Sequence, residues 1–180
     1  MSNEQTPNTI YGVAIGMVKH GQVYLSRRKE SVLYPKKWQF VNGRMRDDAH
    51  AVDEAARIFK DQTDISVKDK TRFIFVKGIS SHEYREFYFT YLINLTEDEI
   101  PKNTCDRFHD DWRPFNLDKA EMLDVVDGLR PVLKQMKKTK SKYESYRKAM
   151  NEFFLETDSK KHEENAETIA KLGPKMTRLL

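Results

Sequence analysis

The stretch Trp38–Ile65, WQFVNGRMRDDAHAVDEAARIFKDQTDI, limits most tightly what this chain can fold into. Val52, Ala55, Ala56, Phe59 and Thr63 recur at three- and four-residue steps, so a helix here gathers them into one buried stripe. Arg57, Asp61 and Asp64 fall off that stripe and face another way. Ahead of the helix, Trp38–Phe40 reads as a short strand. Asn42-Gly43 reads as a sharp turn, because both residues tolerate positive φ. A strand, a turn, an acidic loop and a helix charged opposite its packing face need a sheet to lie on.

The flanking sequence supplies that sheet. Ile10–Val18 is apolar and partly β-branched, His20-Gly21 makes a turn, and Gln22–Arg28 alternates as the returning hairpin strand. Beyond the helix, Arg72–Ile79 and the aromatic run Tyr84–Leu95 read as strands, and DWRPFNL as one more. A helix follows from Leu117 to about Met136, with Asp118 as its expected N-cap and Gly128 and Pro131 expected to kink or break it. The order β-β-β-α-β-β-β-α describes a mixed sheet with helices packed on it.

Three segments are expected: a flexible lead over 1–9, an α/β domain over 10–137 and a basic, amphipathic helical extension over 138–180. The extension spaces Tyr143, Tyr146, Met150 and Phe153 at 3, 4 and 3, an apolar stripe that needs a partner. Between Arg130 and Lys148 lie eight Lys/Arg and one acid, Glu144, so this segment suits RNA contact or self-association through helix 139–156. A net charge of +4 permits a nucleic-acid or phosphorylated partner without requiring one. No apolar run is long enough to span a bilayer, no signal peptide is legible at the start, and Cys105 stands alone. A cytoplasmic protein without membrane contact is the expectation.

These residues resemble the Nudix hydrolase family, over roughly Ile10 to Met136. The GVAIGMV…QVYLSRR hairpin, the LYPKKWQFVNG approach and the DWRPFNLDKAEML segment carry the likeness, with the signature G-x5-E-x7-R-E-U-x-E-E-x-G-U laid on Gly43. The resemblance implies an α/β/α sandwich, and hydrolysis of nucleoside diphosphates linked to another moiety with Mg²⁺ or Mn²⁺. Gly43, Arg57, Phe59 and Ile65 keep the signature's spacing. The acids do not: Ala49 and Ile58 stand at glutamate positions, Asp61-Gln62 replaces the Glu-Glu pair, and Asp64 replaces the second glycine.

The loss bears directly on chemistry. Three carboxylates at i, i+3 and i+4 share a helix face and converge on a hard divalent cation, which offsets pyrophosphate charge and activates water. Here the face reads Ile58, Asp61, Gln62. Glu54 points nearly as Asp61 does, but seven residues put about 10 Å between them along the axis. Ile58 lies roughly 120° from the centre of the buried stripe, so the periodicity places it off the core.

The expectation is a degenerate Nudix-fold protein that binds a nucleotide, RNA or protein, with no cofactor. The alternative is a divergent hydrolase using Mg²⁺ or Mn²⁺ at Asp61 and Glu54. Arg57 is expected to pair with Asp61, and Asp110 and Asp111 occupy the late loop where some family members place a general base. Arg27 and Arg28 are candidates for gripping phosphate, Trp38 and Phe40 for stacking a base, and Gly43 borders the same cleft.

Overall fold

The computed structural model describes residues 9–81 and 86–155. The chain divides into two compact units, Met1–Leu133 and Lys134–Leu180, and the first carries the sheet. Its strands are β1 (Ile10–Lys19), β2 (Gln22–Arg27), β3 (Trp38–Gln39), β4 (Val41–Arg44), β5 (Ile74–Ser81), β6 (Glu86–Asn94) and β7 (Arg113–Asn116). The helices are α1 (Ala51–Thr63), α2 (Leu117–Met122) and α3 (Leu129–Leu155), and α3 continues into the second unit.

Strand β1 is the spine of a mixed sheet in the order β3-β2-β1-β6-β5, with β4 on β1 and β7 on β2. All of it but Lys19 pairs in parallel with β6, from Ile10 beside Glu86 to Val18 beside Asn94. On its other edge the first half meets β4 and the second half meets β2, both antiparallel. His20 and Gly21, at φ 51° and 71°, form the tight turn that matches the twist of the β1–β2 hairpin.

The period-2 alternation of β1 splits the domain into layers. Val13, Ile15 and Met17 project to one face and build a core with Val41, Ala55, Ile58 and Phe59, which packs α1 on the sheet. Gly12, Ala14 and Gly16 project to the other face, where Leu129, Val132 and Leu133 of the first turns of α3 are buried. This mixed sheet with helices is the expected α/β architecture.

The structure corrects several local readings. Asn42 and Gly43 do not form a turn. Both lie inside β4 with ordinary φ, and the chain reverses later, where Asp48 takes φ 59°. Gly43 is required for closeness instead: a Cβ there would lie 3.0 Å from Ile58 Cδ1. Ile58 is accordingly a core residue, 4% exposed, because β4 crosses a wider arc of α1 than the five-residue stripe defined. The helix after β7 begins at Leu117, but its N-cap is Asn116, which accepts from the Lys119 N–H, two residues ahead of the expected Asp118. It stops at Met122, and the chain restarts as α3 after Gly128, which adopts φ 82°. Pro131 falls in the first turn of α3, where its missing N–H costs nothing. The Tyr143–Phe153 stripe concerns side chains outside the described ones, and the part of the expected helical extension over 156–180 lies outside the described residues.

Candidate ligand cavity and the altered helix face

Helix α1 carries two acids in its first turn and Lys60 in its last, in accord with the helix dipole. It ends at Asp64, whose left-handed φ of 62° is the conformation that glycine usually supplies at this position. The last-turn carbonyls are then met one by one by the loop ahead of β7. Thr104 Oγ1 donates to Asp61 O, Trp112 Nε1 to Gln62 O at 3.2 Å, and Lys102 N to Thr63 O at 3.0 Å.

The charged face of α1 is closed on itself. Glu54 is 0% exposed. Its Oε1 accepts from Arg46 Nε at 2.9 Å and Arg57 Nε at 3.0 Å, and its Oε2 from Arg46 N at 3.0 Å and Arg57 Nη2 at 2.7 Å. Hydrogen bonding from Arg57, joined by Arg46, holds its pKa down at about 2 against the burial that opposes it. The same contacts raise the pKa of Arg57, which also makes the pair with Asp61, Nη1 to Oδ2, at 3.0 Å.

Such a face does not suit a divalent cation. Glu54 has both oxygens committed to guanidinium groups, Ile58 is packed under Gly43, and Gln62 donates its amide to Asn42 O at 2.6 Å. Asp61 alone retains an accessible carboxylate, and among the described residues no three His, Cys, Asp or Glu side chains gather as metal ligands. Hard cations take six or more oxygens, several of them carboxylate. The donor set present does not fit Mg²⁺ or Mn²⁺.

The opposite face of the sheet holds a cavity of about 350 Å³. Its floor is set by the β1–β6 register, where Gly12, Ala14 and Gly16 lie beside Tyr88, Thr90 and Leu92. Side chains on the two glycines would collide: a Cβ on Gly12 would come within 2.5 Å of Tyr88 Cε1, and one on Gly16 within 2.7 Å of Leu92 Cδ2. Along β6 the alternation presents Glu86, Tyr88 and Thr90 to this space. Phe40, Tyr34 and Val132 supply apolar wall.

Polar groups converge there without mutual satisfaction. Thr90 is fully buried, and its hydroxyl has no hydrogen-bond partner among the described residues. Glu86 is 8% exposed, yet its contacts are long: Tyr88 Oη at 3.3 Å and Arg44 Nη2 at 3.6 Å. Burial, reinforced by the Glu86 charge, pushes the Tyr88 phenol up to about 12, so it remains a neutral donor at neutral pH. Burial lowers the pKa of Arg28, whose guanidinium donates to Leu33 O and Gln39 Oε1 and so ties the loop before β3 to the cavity wall. Two arginines, Arg28 and Arg44, and two acids, Glu86 and Asp127, are the charged lining.

The sequence-derived candidates are thus divided between places. Arg28, Phe40 and Gly43 line the cavity. Arg27 is exposed and donates to Lys36 O at 3.1 Å, while Trp38 stands edge-on to Phe115 at 4.9 Å. Arg57, Asp61 and Glu54 form the ion-pair network on α1. Asp110 pairs with Lys29 at 2.9 Å, Asp111 is exposed, and neither lines the cavity. Ser26 and His109 lie 2.9 Å apart, Oγ to Nδ1, but both are buried away from the cavity and hold the strand–loop junction rather than present a nucleophile. Glu86, Tyr88, Thr90 and Arg44 were missed from sequence; the first three carry the alternation E-x-Y-x-T of β6 as their signal, and Arg44 at the end of β4 carries none.

No protein-family model matches the sequence, and no curated protein matches it. Solved structures do match. A mutT/nudix family protein from Listeria innocua superposes with a TM-score of 0.60 at 12% identity, over 77% of this chain and 98% of that one. This chain has the Nudix fold. The MutT protein of Methanosarcina mazei gives a TM-score of 0.56 at 17% identity, over 73% of this chain and 94% of its own. The MutT NUDIX hydrolase of Burkholderia pseudomallei gives 0.57 at 19%, over 70% and 96%. At these identities the likeness concerns the fold alone. Among the described residues no helix is long and apolar enough to cross a membrane.

Proposed function

We propose that this chain is a Nudix-fold protein that binds a nucleotide and does not hydrolyse it by the metal-dependent route. The observation that carries the reading is the paired guanidinium lock on Glu54, with Ile58 buried where the signature places a glutamate. Metal-dependent hydrolysis needs carboxylates free to turn toward a cation. The helix face offers Asp61, already bound by Arg57.

The cavity supports the binding half of the proposal. Ligand sites are concave, mostly apolar, and furnished with a few convergent polar groups. A volume of about 350 Å³ accommodates a nucleoside, Phe40 and Tyr34 provide aromatic wall, and the unpartnered Thr90 hydroxyl and poorly satisfied Glu86 await complementary atoms. Calorimetric titration with nucleoside diphosphates in EDTA tests this reading. Saturable binding in EDTA with the nucleotide recovered intact after Mg²⁺ is restored is the expected result. Phosphate release that depends on Asp61 would favour the divergent-hydrolase alternative.

A further inference from the structure

Resting on that nucleotide-binding reading, we infer that Glu86 is a base-selecting residue and that the cavity takes guanine in preference to the other bases.

The charge of the cavity says which part of a nucleotide enters. Arg28 and Arg44 are balanced by Glu86 and Asp127, so the lining offers no net positive charge to a phosphate. A neutral, flat ring with mixed donors and acceptors suits it better, with the phosphates left outside. Phe40 and Tyr34 provide apolar wall for such a ring, and the small side chain of Ala14 lies on the floor beneath it.

The state of Glu86 says which ring. A buried carboxylate accepts at two oxygens and has about four lone-pair sites to fill. In this fold the other buried glutamate, Glu54, fills its sites with contacts of 2.7–3.0 Å. Among the described residues Glu86 has the 3.3 Å contact to Tyr88 Oη and the 3.6 Å contact to Arg44 Nη2. Leaving a buried charge this poorly satisfied is costly, and two donors from a ligand would relieve it.

Two adjacent donors matched to a carboxylate occur on one base only. Guanine presents N1–H and N2–H side by side. Adenine alternates its N6 donor with the N1 acceptor, cytosine offers N4–H beside an acceptor, and uracil has a single N3–H between two carbonyls. Guanine also places O6 next to N1–H, so a guanidinium neighbouring the carboxylate completes the edge. Arg44 Nη2, 3.6 Å from Glu86 Oε1, is that neighbour.

The decisive comparison is GDP against inosine diphosphate, which lacks only the 2-amino group, with ADP as the third ligand. Titrated into the full chain in EDTA, GDP should bind at least about tenfold more tightly than either, the scale of a good bidentate pair. In E86Q the GDP advantage should fall below about threefold, while ADP affinity stays within about threefold of wild type. Equal affinities for all three in the wild-type chain would overturn guanine selection and leave nucleotide binding standing. No binding by any would overturn both. An undiminished GDP advantage in folded E86Q would remove Glu86 from the role; if E86Q does not fold, the wild-type ratio of GDP to inosine diphosphate decides.

Discussion

Replacing Glu54 by glutamine tests the closed state of the α1 face. Glu54 is buried with both oxygens held by Arg46 and Arg57, and its pKa falls from 4.5 to about 2. That difference is worth roughly 3 kcal/mol at neutral pH. Arg46 is 68% exposed, so solvent screening trims the figure to about 2 kcal/mol. The folded-state pKa lies below the unfolded one, so this stability is fully present above about pH 4.5 and is lost as the pH falls toward 2. E54Q should therefore unfold in urea with about 2 kcal/mol less stability at pH 7, and the gap to wild type should close between pH 4.5 and pH 2. The difference curve isolates Glu54 from other carboxylates with lowered pKa values, such as Glu99 and Asp53. A gap that stays constant with pH, or E54Q matching wild type at pH 7, would refute the ion-pair lock.

Two further substitutions probe the opposite faces of the sheet. Gly43→Ala should cost about 1–3 kcal/mol, because the new Cβ meets Ile58 at 3.0 Å, and shortening Ile58 to Ala in the same chain should recover part of the loss in a double-mutant cycle read by urea unfolding. Thr90→Val should leave thermal stability unchanged or raise it by up to about 1 kcal/mol, since it removes a buried hydroxyl that lacks a partner and preserves the shape of the side chain.

What the sequence made legible was local. The β1–β2 hairpin was readable because His20-Gly21 imposes its own turn, and α1 because its buried stripe repeats with the helical period. Gly43 was legible as a marked position but not for its role: turn chemistry is a property of neighbours in sequence, whereas closeness to Ile58 depends on where β4 crosses α1. The same crossing explains why angular reckoning on the helix alone put Ile58 off the core. Glu54 and its helical direction were visible, but Arg46 reaches it across a reversal at Asp48 that no motif announced. Glu86, Tyr88 and Thr90 alternate plainly in β6, yet their common face became a cavity only through the parallel register that sets them beside Gly12, Ala14 and Gly16. Parallel pairing joins segments some 76 residues apart here, Ile10 with Glu86, and leaves no local mark.

GDP titrated into the full chain by calorimetry, once in EDTA and once in Mg²⁺, with the nucleotide analysed afterwards, separates the two readings of the fold. The expected result is the same affinity in both buffers and GDP recovered intact. Binding that appears only with Mg²⁺, or GMP and phosphate formed at a rate that Asp61→Ala abolishes, would contradict it.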